Sequence, residues 1–210
     1  MGNRCPVGRI GALLIIMATV GAGEAAGQFC ADVPARIGQP ALGMGVGFNE
    51  NATTYGLRFQ ATPINHLVVD GGYDAIDVEG FDLTHSIQAG AAYERPLGAG
   101  LVCPRAALGL SQVLERGDWQ DRTSVGVSIG VTIGKEAYSD GQFRLTPFVR
   151  AAYSVATVLS VMTDDGWVDS YSAAGGALVF LTDRIFGTGS VSVAEGGNTG
   201  ASIRLGLLLR

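Results

Sequence analysis

One lysine, two histidines and three cysteines are all that a chain of 210 residues contains of those types. Charged residues make up only 16% of it, where an ordinary soluble domain carries about a quarter. There is no basic run, which excludes the electrostatic footprint of a nucleic-acid binder. After residues 10–20 no long apolar run recurs, so no later segment offers the roughly twenty apolar residues that cross a bilayer as a helix. A G-x-S-x-G nucleophile elbow, a zinc-type cysteine pair and a phosphate-binding loop are missing too. The acidic residues do not follow the spacing of a calcium loop. No enzyme activity, metal or cofactor is therefore expected.

What the chain has in quantity is glycine, 32 residues, and a two-residue rhythm. Thr123 to Gly134 reads T-S-V-G-V-S-I-G-V-T-I-G, with Val or Ile at 125, 127, 129, 131 and 133 and only Ser, Gly or Thr between them. Successive side chains of a strand leave opposite faces, so one face is hydrocarbon and the other small and hydrophilic. About ten residues of this kind match a tilted strand that crosses a membrane.

The same pattern recurs along the chain. Leu42, Met44, Val46 and Phe48 alternate with glycines, and Tyr55, Leu57, Phe59 and Ala61 with Gly56, Arg58, Gln60 and Thr62. Leu67–Tyr73, Leu83–Tyr93, Ala106–Leu110, Leu145–Val155, Tyr171–Leu181 and Ile203–Leu209 follow, with a weaker run at Val191 and Val193. Pro147 cannot donate a ladder hydrogen bond, and a bulge or pairing gap is expected there. About ten strands result, with eight as the alternative; even numbers are the rule for bacterial outer-membrane barrels. The longest polar connections, around Trp119 and Trp167, fall on one end, taken as external. Phe48, Tyr55, Tyr73, Phe81, Trp119, Trp167 and Tyr171 cluster there, and Tyr93, Tyr138 and Phe143 at the other end, as interfacial girdles do.

Arg4 and Arg9, the apolar stretch Ile10–Val20 and the small residues Ala25-Ala26-Gly27 predict a cleaved secretory signal peptide over 1–27. Residues 28–39 then form a periplasmic N-terminal segment and 40–210 the barrel. Cys30 and Cys103 remain after cleavage, and in an oxidising compartment they are expected to join, with two free thiols as the alternative. Cys103 lies at the internal end of its strand with inward parity, so the bond would pin Phe29–Gln39 across or into the lower mouth.

With these residues in view, the chain resembles the small outer-membrane β-barrel proteins, eight- to ten-stranded and of the OmpA-like type, from about Pro40 to Arg210. The last strand, I203-R204-L205-G206-L207-L208-L209, looks like the segment that the barrel-assembly machinery reads, although the chain ends in Arg210 where that family ends in an aromatic residue. The resemblance implies an all-β, closed antiparallel up-and-down transmembrane barrel, integral to the outer membrane, with its lipids and lipopolysaccharide as partners. It fixes no particular function.

The inward parity collects Arg58, Asp70, Asp74, Glu94, Arg105, Arg144, Arg150 and Arg204. Charges in a narrow lumen must be paired or hydrated, and a polar network filling the barrel is the expected role. That reading makes the protein a non-enzymatic envelope structural or surface-interaction component. The alternative is a narrow, Arg-biased channel for small polar or anionic solutes. A second alternative is a surface hydrolase of omptin type, a ten-stranded barrel class with Asp and His at its outer rim. Asp74, Asp77, Asp82 and His85 gather at one outer end, and Asp164, Asp165 and Asp169 elsewhere on the rim, but His85 shares the lipid-facing parity of Leu83 and Ile87.

Overall fold

The computed structural model describes residues 30, 39–78, 83–98, 100–113, 122–140, 143–159 and 167–209. The expected signal peptide and most of the N-terminal segment lie outside these residues. The strands are β1 (Ala41–Asn49), β2 (Ala52–Ile64), β3 (Leu67–Val78), β4 (Thr84–Tyr93), β5 (Arg95–Leu97) and β6 (Gly100–Val113). They continue as β7 (Arg122–Gly134), β8 (Tyr138–Asp140), β9 (Phe143–Leu159), β10 (Trp167–Phe180), β11 (Ile185–Ala194) and β12 (Thr199–Leu208). Ten are long; β5 and β8 have three residues each.

Every long strand is antiparallel to both its neighbours. β1 pairs with β2 on one side and β12 on the other, and the β9–β10 pairing completes the circuit. Closure follows from the surroundings, because an open edge in hydrocarbon would leave a row of backbone donors and acceptors unsatisfied. The count is ten rather than eight, and the weak run at Val191 is a full strand of ten residues, β11. Its glycines at 187 and 189 take the outward parity of Val191 and Val193, which dilutes the apolar signal without breaking the ladder.

The two short strands account for connections that are long for internal turns. β5 folds back on β6 through Leu97↔Gly100, and β8 on β9 through Asp140↔Phe143, so the wall is extended at the internal end. Gly98, at φ 58°, supplies the left-handed residue of the first of these turns. The bulge or pairing gap expected at Pro147 lies on one side of β9: the β9–β10 register runs unbroken through Ala177↔Pro147, but the β7 ladder stops at Gly134↔Phe148 and pairing resumes, one residue out of register, at Tyr138↔Leu145 of β8. The Pro147 carbonyl still accepts the Lys135 N–H at 3.3 Å, but proline has no N–H to return, and the regular ladder ends there. A second register shift falls between Ala61 and Ile64, around Pro63.

The exterior is hydrocarbon. Met44, Leu57, Ile87, Leu108, Ile129, Ile203 and Leu205 are among the large apolar side chains exposed on it. A solvent-facing surface of this kind would be an aggregation surface, whereas a lipid-facing one is a transmembrane belt. Tyr55, Tyr73, Trp167 and Tyr171 are exposed towards the external end, and Tyr93, Tyr138 and Phe143 at the internal end. Tyr153, level with Ile129 in mid-strand, is an exception to the girdles; its ring is tilted against that of Tyr171, with centroids 4.8 Å apart. Phe81 and Trp119 lie outside the described residues.

Candidate functional site in the barrel lumen

All eight charged residues assigned to the lumen have the parity opposite to the lipid-facing apolar set. Two pairs among them meet. Arg58 on β2 donates from Nη2 to Asp74 Oδ2 on β3 at 2.6 Å, and Gln88 on β4 adds a donation to the same oxygen at 3.3 Å. The same guanidinium also reaches the carbonyls of Leu57 and Tyr73 through Nη1. Arg105 on β6 grips Asp70 on β3 with two donors, Nε to Oδ2 at 3.0 Å and Nη2 to Oδ1. The Asp70 side chain is 5% accessible and that of Arg105 23%. A fork-to-carboxylate geometry is the strong form of such a pair, and burial makes each charge dependent on the other.

The remaining residues sit elsewhere in the lumen. Arg150 donates from Nε to Thr132 Oγ1 at 3.1 Å, and its guanidinium lies 5.8 Å from the Phe148 ring centroid. Arg144 covers the Phe180 ring at 4.1 Å, a cation–π contact. Arg204 lies inward on β12, level with Gly45 on β1 and Thr188 on β11. Glu94 lies one residue past the end of β4, in the internal turn, with its N–H donating to the His66 carbonyl at 2.7 Å. It is buried, its Oε2 has no hydrogen-bond partner among the described residues, and that burial pushes its carboxyl up to about 7.

Three features of the lumen were not foreseen. Gln60 is fully buried opposite Asp70, its amide without a partner among the described residues. Hydroxyls face one another along the wall, Ser111 against Ser124 and Ser190 against Ser202. Most consequential is an apolar floor: Ala41, Leu101, Leu178, Phe180, Phe186 and Leu208 form one buried cluster at the internal end, with Phe148 packed against it. Phe186 fits because its cross-strand partner is Gly206, where a Cβ would collide with the ring. The signal was present in Leu178-Val179-Phe180 and Leu207-Leu208-Leu209, where consecutive apolar residues put hydrocarbon on both faces.

Cys30 and Cys103 are joined, with Cα atoms 5.1 Å apart. Both are fully buried and pack with Val68 and Ala92 in a second cluster at the internal end. The connection through residues 31–38 lies outside the described residues.

The acidic rim does not assemble a hydrolytic site from its described members. Asp74 turns into the lumen and is held by Arg58, whereas His85 turns outward, where the Tyr73 hydroxyl meets its Nδ1 at 2.5 Å. The wall separates them. Asp77 and Asp169 are exposed on the outward parity, and Asp82, Asp164 and Asp165 lie outside the described residues. Among the described residues no group of His, Cys, Asp and Glu has metal-holding geometry.

A closed ten-stranded antiparallel barrel with hydrocarbon outside and paired charges inside is a transmembrane barrel of the small outer-membrane type. That class rests on the closed ladder and the two faces of the wall. No protein-family model matches the chain, and no curated protein matches it in sequence. Among solved structures it is similar to the KdgM porin, with 6% identity and a TM-score of 0.43 over 81% of this chain and 99% of the porin. The β domain of the Bordetella autotransporter BrkA has 12% identity and a TM-score of 0.49 over 81% and 98% of the two chains. The N-terminal β-barrel domain of Pseudomonas aeruginosa OprF has 10% identity and a TM-score of 0.40 over 82% and 98%.

Proposed function

We propose that this chain is an exported, integral outer-membrane barrel without catalytic activity, whose lumen is a structural polar network and whose role is envelope structure or surface interaction. The observation that carries this reading is the floor. A barrel of this size has little interior beyond its own side chains, and here Phe180, Phe186, Leu178 and Leu208 occupy its internal end. Above them, Arg58–Asp74 and Arg105–Asp70 neutralise one another rather than leaving a row of like charges along a path.

On this reading outer-membrane lipids lie against the apolar wall, and lipopolysaccharide against the external girdle. The last strand is the segment offered to the barrel-assembly machinery. Single-channel recording in planar bilayers tests the reading. The oxidised, folded protein is expected to be electrically silent, and stable current steps would establish the alternative, a narrow channel for small polar or anionic solutes.

A further inference from the structure

The outer wall carries a groove at its external end. Ala173 and Gly175 on β10 and Ala201 on β12 take the outward parity, where most of the wall presents branched or aromatic side chains. Val191 and Val193 of β11 rise between those two strands, 66% and 47% exposed, and Phe48 of β1 stands beside Ala201, 52% exposed. The hollow among them has a volume of about 640 Å³ and is lined mainly by hydrocarbon. Tyr171, the next outward residue of β10 beyond Ala173, belongs to the external girdle, so the groove lies in the hydrocarbon just beneath the headgroups.

A void against an apolar wall forfeits the wall's contacts, and in a bilayer it fills with an acyl chain or with a second protein. Charge decides between them. Glu50, which lines the groove, is the next outward position after Phe48, and Glu195 is the next after Val193; both are exposed. Asp169 follows Tyr171 along β10 in the same way. Among the described residues no Lys or Arg has outward parity on β9 to β12 or on β1. The external edge of the groove is therefore anionic. A second copy in the same membrane shares the orientation of the first, and a two-fold pair would set the same carboxylates against one another. A headgroup bearing phosphate and no cation is disfavoured on the same ground. A primary ammonium, by contrast, donates charge-assisted hydrogen bonds to carboxylates.

We propose that the groove is a binding site for an amine-headed phospholipid of the phosphatidylethanolamine kind: one acyl chain lies over Ala201 between Phe48 and Val191, and the headgroup ammonium is held by Glu50 and Glu195. The site is on the outer wall and stands whether the lumen is closed or open, so it goes beyond the role assigned above. Gly175 offers a way to fill it. A Cβ there meets nothing nearer than the Phe148 carbonyl at 4.0 Å, so a larger side chain enters the groove without disturbing the wall. Gly71, outward on β3 and away from the groove, is open in the same way, with the Gln88 carbonyl at 3.7 Å.

The test is native mass spectrometry of the mature, full-length protein in detergent, offered an equimolar mixture of phosphatidylethanolamine, phosphatidylcholine and phosphatidylglycerol with identical acyl chains. Folding of each protein is checked by the mobility of unheated samples on gels. The expected result is retention of one lipid per chain, phosphatidylethanolamine being favoured about tenfold over phosphatidylglycerol. Glu50→Gln combined with Glu195→Gln should abolish the preference and leave a lipid bound. Gly175→Leu should abolish retention, and Gly71→Leu should change neither. No retained lipid, retention of phosphatidylglycerol or phosphatidylcholine to the same extent, a preference that survives loss of both glutamates, or retention undiminished by Gly175→Leu overturns the proposal. So does a mass of two protein chains without lipid, which would give the groove to a second copy.

Discussion

Arg105 reaches Asp70 across an intervening strand by passing over a glycine. Asp70 lies on β3 and Arg105 on β6, and Gly90 of β4 is the residue between them, paired with Asp70 in the ladder. A Cβ at position 90 would stand 2.9 Å from Arg105 Nη2 and 3.0 Å from the Ala107 Cβ. The glycine is thus the gap that lets a long cationic side chain lie flat along the wall and close an ion pair inside a narrow lumen.

The pair itself makes the first prediction. Arg105→Met leaves a 5% accessible Asp70 carboxylate without its counter-charge, and breaking a buried pair in this way costs about 3–5 kcal/mol. Asp70→Leu in the same chain removes the stranded charge and recovers most of the loss. A double-mutant cycle, measured by urea unfolding from lipid vesicles, reads both effects. Equal stability of all four proteins would mean that the lumen is hydrated enough to ignore the pair.

Gly90→Val should reproduce the loss seen on removing Arg105, because the new side chain occupies the path of the guanidinium. Gly109→Ala serves as its control. A Cβ there meets nothing nearer than the Ile87 carbonyl at 3.9 Å, and the change should lie within about 0.5 kcal/mol of the parent.

Much of this was legible in the sequence, and the reason is the period of two. Thr123–Gly134 alternates without exception, so its faces could be read directly, and Ile129 is indeed 58% exposed on the outside. The inward parity of Arg58, Asp70, Asp74 and Arg105 followed from the same rule. Parity names a face but not a partner, however. Which aspartate each arginine takes depends on register and on glycines such as Gly90, three or four strands of arithmetic away from any local signal. The floor escaped for a different reason: Leu208 shares the inward parity of Arg204, but parity along one strand does not say that Leu178, Phe180 and Phe186 of other strands meet it at one end. Pro147 marked a break in pairing correctly, but the sequence does not say on which side: the β10 ladder runs through it and the β7 ladder stops beside it.

The same strand supplies a test of the membrane assignment. Ile129→Arg places a cation on the outward face near the middle of β7, where such a change costs about 2–4 kcal/mol in a bilayer. Unfolding from vesicles of short-chain phosphatidylcholine measures the cost. The substitution would be nearly neutral on a surface facing water, and that result would contradict a lipid-facing wall.

Glu94 gives stability a pH dependence. Its carboxyl is raised from 4.5 to about 7 by burial, so the folded state holds the proton more tightly than the unfolded state. The favourable contribution is complete below about pH 4.5, declines as pH rises through the interval up to about 7, and is gone above it. Unfolding midpoints taken across that interval should fall with rising pH, and Glu94→Gln should flatten this component. An unchanged slope in the variant would assign the dependence to other groups.

The central claim is that the lumen is closed at its internal end, and one reporter cysteine tests it without touching the floor. Ser192 faces inward near the external end of β11 and is exposed there. In oxidised protein carrying Ser192→Cys, a membrane-impermeant maleimide added on the side of the long loops should label the new thiol rapidly. The same reagent added on the side of β5 and β8 should leave it unmodified. Labelling from both sides at comparable rates would show a continuous aqueous path and contradict the closed barrel.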